Sequence, residues 1–109
     1  MPKTTQAQVL GKQILRSGTS VGANCREATR ARSNEEFISK TNISLQELEE
    51  TRYWLELLLE SGIEREEYIH PFQDEAAQLV AIFVTVIKRK KAMLRETFSN
   101  YYTDDLEIF

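Results

Sequence analysis

Residues 33–62 read SNEEFISKTNISLQELEETRYWLELLLESG, and this stretch carries the clearest helix signals in the chain. It opens with Ser33 and Glu36, the capping-box pattern in which a serine hydroxyl and a glutamate three positions on satisfy free backbone donors. Gly62 closes it, as glycine commonly does just after a helix. Between these signals the large apolar residues recur every three or four positions. The spacing predicts one helix from Asn34 to Ser61.

The apolar residues of this helix form one stripe that widens toward its C-terminal end. Arg52 falls inside the stripe, where an unpaired charge would be costly. We expect its aliphatic stem to pass along the core and its guanidinium to reach a carboxylate. The stripe contains Phe37, Thr41, Leu45, Leu48, Arg52, Leu55 and Leu59, and Trp54, Leu57 and Leu58 widen it.

A first helix is predicted from Thr5 to about Ala31. Its stripe is small and polar in the middle, and it contains Leu10, Ile14, Ser17, Val21, Asn24, Ala28 and Ala31. Glycine inside a helix costs about 0.5–1 kcal/mol relative to alanine. We therefore expect another backbone to approach Gly11, Gly18 and Gly22 closely. The alternative is a break in the helix near residues 17–20.

A third helix is predicted from Pro71, at the first helical position, to about Phe98. Residues 63–70 link it to the second helix, with one turn of helix at 65–69. Its stripe contains Phe72, Ala76, Leu79, Phe83, Ile87 and Leu94. The segment 79–87 is apolar on nearly every side and needs partners on more than one side. Self-association is therefore expected, with Leu79, Phe83, Ile87 and Trp54 as core or oligomer-contact residues.

The sequence as a whole predicts an all-α, up-down antiparallel helical bundle. It has 109 residues, of which 41% are hydrophobic and 28% charged, which fits one globular domain. We expect a bundle domain over residues 1–96 and an acidic, aromatic tail over 97–109, which either frays or docks. A single cysteine, no apolar leader and no apolar run near 20 residues favour a cytoplasmic protein without a membrane span.

No catalytic, cofactor-binding or metal-binding residues are predicted, so an enzyme is not expected. His70 has no cysteine or histidine companion, and Cys25 lies among small residues as an inert thiol. The adjacent glutamate pairs are typical of a solvated face. Neither a P-loop nor a dinucleotide-binding glycine motif is present.

Charge is segregated along the chain although the net charge is only −3. Residues 1–32 carry six cations and one anion, whereas residues 33–67 carry three cations and ten anions. The cations that would contact the phosphates of RNA or DNA are Lys12, Arg16, Arg26, Arg30, Lys88, Arg89, Lys90 and Lys91. The alternative is a solvated face with salt bridges to the acidic second helix.

The segments RSGTSVGAN at residues 16–24 and ETRYWLELL at residues 50–58 resemble the four helix bundle protein family, also called 23S ribosomal-RNA intervening-sequence proteins. The resemblance covers residues 6 to about 91. It implies an up-down antiparallel bundle that assembles as a homo-oligomer, typically a ring-like pentamer. The chain is also similar to the accessory variability proteins of diversity-generating retroelements, which bind nucleic acid and a reverse transcriptase. No catalytic residues are implied.

Members of that family usually begin with a further helix before the stretch TQAQVLGKQ, which here starts at Thr5. The resemblance therefore implies that this chain holds the equivalents of helices 2–4 of a four-helix bundle, with an apolar groove left to cover. The expected function is a non-enzymatic oligomerisation module that binds RNA or DNA through basic residues. The alternative is an adaptor whose groove accepts a helix of a partner protein.

Overall fold

The computed structural model describes the backbone of residues 4–108 and the side chains of residues 4–97 and 99. Three helices follow one another, and they are α1 Thr5–Thr29, α2 Asn34–Glu60 and α3 Glu66–Ile108. Short connections reverse the chain after α1 and after α2. Over the described residues there is no strand, and the predicted all-α, up-down antiparallel fold is confirmed.

Local capping chemistry fixes the ends of α1 and α2. The Thr4 hydroxyl accepts a 3.2 Å hydrogen bond from the Ala7 N–H, and the Ser33 hydroxyl accepts one of 3.0 Å from the Glu36 N–H. The Glu36 carboxylate accepts from the Arg32 N–H at 3.2 Å, one residue before the partner expected in a capping box. Gly62 has φ +71°, the left-handed conformation that ends α2.

Helix α1 runs without a break through residues 17–20 and ends at Thr29, two residues before the predicted end. Its internal hydroxyls bond back to the preceding turn. The Ser17 Oγ donates to the Gln13 carbonyl at 2.9 Å, and the Thr19 Oγ1 donates to the Leu15 carbonyl at 2.6 Å. Such bonds satisfy serine and threonine inside a helix, which explains why the small, polar segment stays helical.

Helix α3 differs from the prediction at both ends. It begins at Glu66, so the placement of Pro71 at the first helical position is wrong. The Arg65 carbonyl accepts from the N–H groups of Tyr68 and Ile69, which forms the first turn before the proline is reached. The helix then continues to Ile108 instead of ending near residue 98. Docking of the tail side chains lies outside the described residues, apart from residues 97 and 99.

Helix α2 lies between the other two helices and packs against both. The apolar core is centred on Leu10, Leu55, Leu58 and Ile69. The predicted stripes of α1 and α2 are confirmed, since every member is at least partly buried. In α3, however, the stripe prediction is wrong for Phe72, which is 60% exposed, whereas Ile69 is only 4% exposed. The rest of the predicted α3 stripe is confirmed, with Ala76 and Ile87 buried and Leu79, Phe83 and Leu94 half-buried.

The molecule is elongated and exposes much surface. It measures 71 × 22 × 15 Å and has a radius of gyration of 19.3 Å, against about 13 Å for a compact chain of this length. Its accessible surface is 7958 Å², whereas a compact monomer of this mass exposes about 6,200 Å². The three helices therefore bury less surface than a closed bundle does.

Candidate functional site

An apolar groove runs between α1 and α3, and α2 forms its floor. We call it the groove; its volume is about 550 Å³. Its polar lining residues are few. The Thr51 hydroxyl donates a 2.7 Å hydrogen bond to the Ser17 Oγ. Glu64 and Glu75 line the groove on the side formed by α3 and the segment before it. The apolar lining comprises Gly11, Ile14, Leu15, Leu48, Leu55, Leu58, Tyr68, Ile69, Phe72, Ala76 and Leu79.

Large side chains on the walls of the groove are exposed. Leu15 is 71% exposed, Phe72 60% and Tyr68 57%. Isolated exposed hydrophobic residues are ordinary, whereas a contiguous apolar concavity between helices is a candidate binding surface. Its shape and lining suit the apolar face of an amphipathic helix.

Basic residues gather at the other end of the molecule, around the connection between α1 and α2. Lys90 lies 5.1 Å from the centre of the Phe37 ring and lines a depression together with Arg32, Ser33 and Asn34. Arg26 and Arg30 line the neighbouring outer face of α1. We call this surface the basic end, and it comprises Arg26, Arg30, Arg32, Lys88, Arg89, Lys90 and Lys91.

Two acidic residues near the basic end, Glu27 and Glu36, have hydrogen-bond partners in the structure. Glu27 forms a 2.6 Å ion pair with Lys40, and this hydrogen bond and charge raise the pKa of Lys40 above its ordinary 10.5. Glu36 accepts from the Arg32 N–H, as described above. Among the described residues, neither of these two carboxylates is ion-paired with a side chain of the basic end.

Two predicted nucleic-acid residues, Lys12 and Arg16, lie apart from the basic end. Lys12 on α1 and Arg30, the residue that caps the end of α1, are eighteen positions apart, which is about 27 Å along the helix axis. Arg16 bonds to Glu50 and lies 3.5 Å from Glu47, so it pairs with the acidic face of α2. Of the eight predicted cations, the structure thus places Lys90 beside Arg32, a cation outside the predicted set, and places Arg26 and Arg30 on the neighbouring face of α1. Lys88, Arg89 and Lys91 adjoin Lys90 on α3.

The predicted core or oligomer-contact residues take different positions. Ile87 is buried, whereas Leu79 and Phe83 are half-buried and Leu79 lines the groove. Trp54 packs against the core, and its buried indole N–H has no acceptor among the described residues. Arg52 reaches Glu49 at 3.3 Å, which confirms the expected contact with a carboxylate.

Within residues 4–97 and 99, the reactive side chains do not form a cluster. His70 Nε2 lies 2.6 Å from a carboxylate oxygen of Glu66, and Cys25 Sγ lies 3.4 Å from the Ser44 hydroxyl. Within the described part of the chain, no three His, Cys, Asp or Glu residues are placed to hold a metal ion. No helix segment there is both long and apolar enough to span a bilayer.

The family described as 23S rRNA-intervening sequence protein matches residues 1–85, most of the chain. The chain belongs to this family. A crystal structure at 1.70 Å resolution, of a protein of unknown function from the S23 ribosomal protein family of Bacteroides thetaiotaomicron VPI-5482, is similar in fold and sequence. Its TM-score is 0.72 and its identity 45%, over 73% of this chain and 74% of that one. Among curated proteins, none matches.

For this member of the 23S rRNA-intervening sequence family, two surfaces thus stand out. The groove was expected from the resemblance, and the structure gives its walls and its floor. The basic end was only partly visible in the sequence, because Arg32 and Lys90 are 58 residues apart and meet through the packing of α3 on α2. Charge segregation was the signal that pointed toward it.

Proposed function

We propose that the protein is a non-enzymatic helical module of the cytoplasm that self-associates by covering the groove with a second copy. The observation that carries this proposal is the open apolar groove on α2, with Leu15 71% and Phe72 60% exposed. The accessible surface, about 1,800 Å² larger than that of a compact monomer, supports it. Burying such a surface is the main favourable contribution to association.

Self-association is tested by sedimentation equilibrium on the purified chain and on a Leu15→Asp variant. The Leu15 side chain is mostly exposed, so aspartate there leaves the monomer folded but places a charge in the contact. We expect association at least tenfold weaker than in the wild type. Ala23→Asp adds the same charge to an exposed position of α1 that does not line the groove, and it should associate as the wild type does.

A folded chain that stays monomeric at all concentrations would contradict self-association. The groove would then be free for the helix of a different protein, such as a reverse transcriptase. That adaptor role predicts a rise in melting temperature when an amphipathic helix is added. If Leu15→Asp associated as strongly as the wild type, the self-association contact would lie outside the groove.

We propose a second function, RNA or DNA binding at the basic end, because packing brings Arg32 and Lys90 together there. The family's description refers to 23S rRNA, so a fluorescently labelled duplex from that RNA is the natural probe, with a DNA duplex of equal length beside it. Phosphate contacts release counterions, so the logarithm of the affinity should fall linearly with the logarithm of salt concentration.

The variant that tests this site is Arg89→Glu with Lys91→Glu, since both side chains are exposed at the basic end. We expect at least a tenfold loss of affinity at low salt. The matched control is Lys12→Glu with Arg65→Glu, which changes the net charge equally but away from that end. Equal losses in the two variants, or no binding by the wild type at low salt, would contradict the assignment.

A further inference from the structure

The C-terminal part of α3 projects past the other helices. Lys90 packs on Phe37, which is only three residues from the first residue of α2, whereas α3 continues for eighteen residues to Ile108. At about 1.5 Å per residue, residues 94–108 reach roughly 20 Å beyond the start of α2. The 71 Å length of the molecule reflects this projection. We call residues 94–108 the C-terminal extension.

The extension does not reach the groove of its own copy. On α3 the groove is lined by residues 68–79, at the opposite end of the same uninterrupted helix. Fifteen residues separate Leu79 from Leu94, which is about 22 Å along the axis, and the extension points away from the groove. A continuous helix does not double back, so the extension can enter only the groove of another copy.

The length of the extension matches the groove. The groove spans residues 68–79 of α3, about 17 Å along the axis, and the fifteen residues of the extension cover about 22 Å. One helical segment of this length therefore fills the groove from end to end.

The first part of the extension is amphipathic at the helical period. At about 100° per residue the apolar positions of residues 94–102 fall within roughly 100° of arc, and they are Leu94, Phe98, Tyr101 and Tyr102. Leu106 and Ile108 widen this arc to about 160°, where Arg95 and Asp105 also fall. The apolar arc of residues 94–102 suits an apolar groove, whereas it would be unfavourable on a helix left in water.

We propose that the C-terminal extension of a second copy occupies the groove, an inference that rests on the proposed self-association. The contact joins unlike surfaces of the two copies, the extension of one and the groove of the other. Such a contact closes either as a reciprocal pair or as a ring, depending on the rotation between copies.

Complementation between two full-length variants tests the proposal. The groove variant carries Leu15→Asp with Phe72→Asp, and the extension variant carries Phe98→Asp with Tyr102→Asp. We expect each variant alone to be monomeric, near 12.6 kDa by light scattering. An equimolar mixture should form a 1:1 complex of about twice that mass, because the intact extension of one variant fits the intact groove of the other.

The matched control carries Asn100→Asp with Thr103→Asp, on the polar side of the extension, and should self-associate as the wild type does. Helical circular dichroism checks that each variant is folded. If the extension variant self-associates as strongly as the wild type while the groove variant does not, something else covers the groove. The proposed function would then stand and this inference would fail. A monomeric wild type would overturn both.

Discussion

Thr51 donates a 2.7 Å hydrogen bond from its hydroxyl to the hydroxyl of Ser17, which is fully buried between α1 and α2. Ser17 in turn donates to the Gln13 carbonyl, so both hydroxyls are satisfied without water. Further along the same interface, the Ser44 hydroxyl donates to the Val21 carbonyl at 3.1 Å. Small polar residues thus hold α1 against α2, and the Thr51–Ser17 bond lies at the edge of the groove.

Ser17→Leu should destabilise the protein, because the buried site has no room for three additional carbon atoms and Thr51 loses its acceptor. Overpacking of this kind costs about 1–3 kcal/mol in the free energy of unfolding, measured by urea denaturation. Thr19→Leu is the matched control on the exposed side of α1 and should change stability by less than about 0.5 kcal/mol. Equal stability of the two variants would contradict the buried contact.

Alanine should have opposite effects at Gly22 and Gly62. A Cβ at Gly22 meets no atom within 4 Å, so Gly22→Ala should stabilise α1 by about 0.5–1 kcal/mol. Gly62 has φ +71°, and alanine in that conformation costs about 1–2 kcal/mol. Thermal unfolding of both variants at a concentration that keeps the chain monomeric measures the difference. A destabilising Gly22→Ala would show that a neighbour packs there.

Arg16→Ala should lower stability by less than about 1 kcal/mol, because its ion pairs with Glu47 and Glu50 are partly exposed. Arg16→Glu should lower it further, since three carboxylates would then lie together. Both effects should shrink in 1 M salt, which screens surface charges. Lys12→Ala is the control, and a loss of stability as large as that of Arg16→Ala would contradict the structural role of Arg16.

The pair of His70 and Glu66 should make stability depend on pH. The hydrogen bond to Glu66 raises the pKa of His70 above its ordinary 6.5, with smaller contributions from Gln73 and Asp74. A raised folded-state pKa adds stability that is complete below pH 6.5 and is lost as pH rises through the raised value. The melting temperature of the wild type should exceed that of His70→Gln at pH 6 by more than at pH 9. A constant difference would argue against the pair.

Local signals made much of the fold predictable from sequence. Ser33 and Gly62 predicted the bounds of α2 to within one residue, because capping depends on neighbours in the sequence. The prediction at Pro71 was wrong because the proline lies five residues after the start of α3, where it removes one backbone hydrogen bond and crowds the preceding turn without ending the helix. The expected close approach at Gly18 and Gly22 is absent from the described residues of one copy, where both positions face open space.

The arrangement of the sites depends on tertiary packing and was less predictable. Arg16 meets Glu47 and Glu50 across 31 and 34 residues, and no local pattern specifies which pairs form. Periodicity placed Phe72 in the core stripe, but the rotation of α3 on α2 turns it into the groove and buries Ile69 instead. A sequence shows that apolar faces exist, whereas their partners emerge only once the helices pack.

The most direct test of the groove as an association surface is the mass of the purified chain in solution. Light scattering across micromolar concentrations should give at least twice 12.6 kDa for the wild type, falling toward 12.6 kDa on dilution and in Leu15→Asp. A fully helical chain that remains at 12.6 kDa throughout this range would contradict the account.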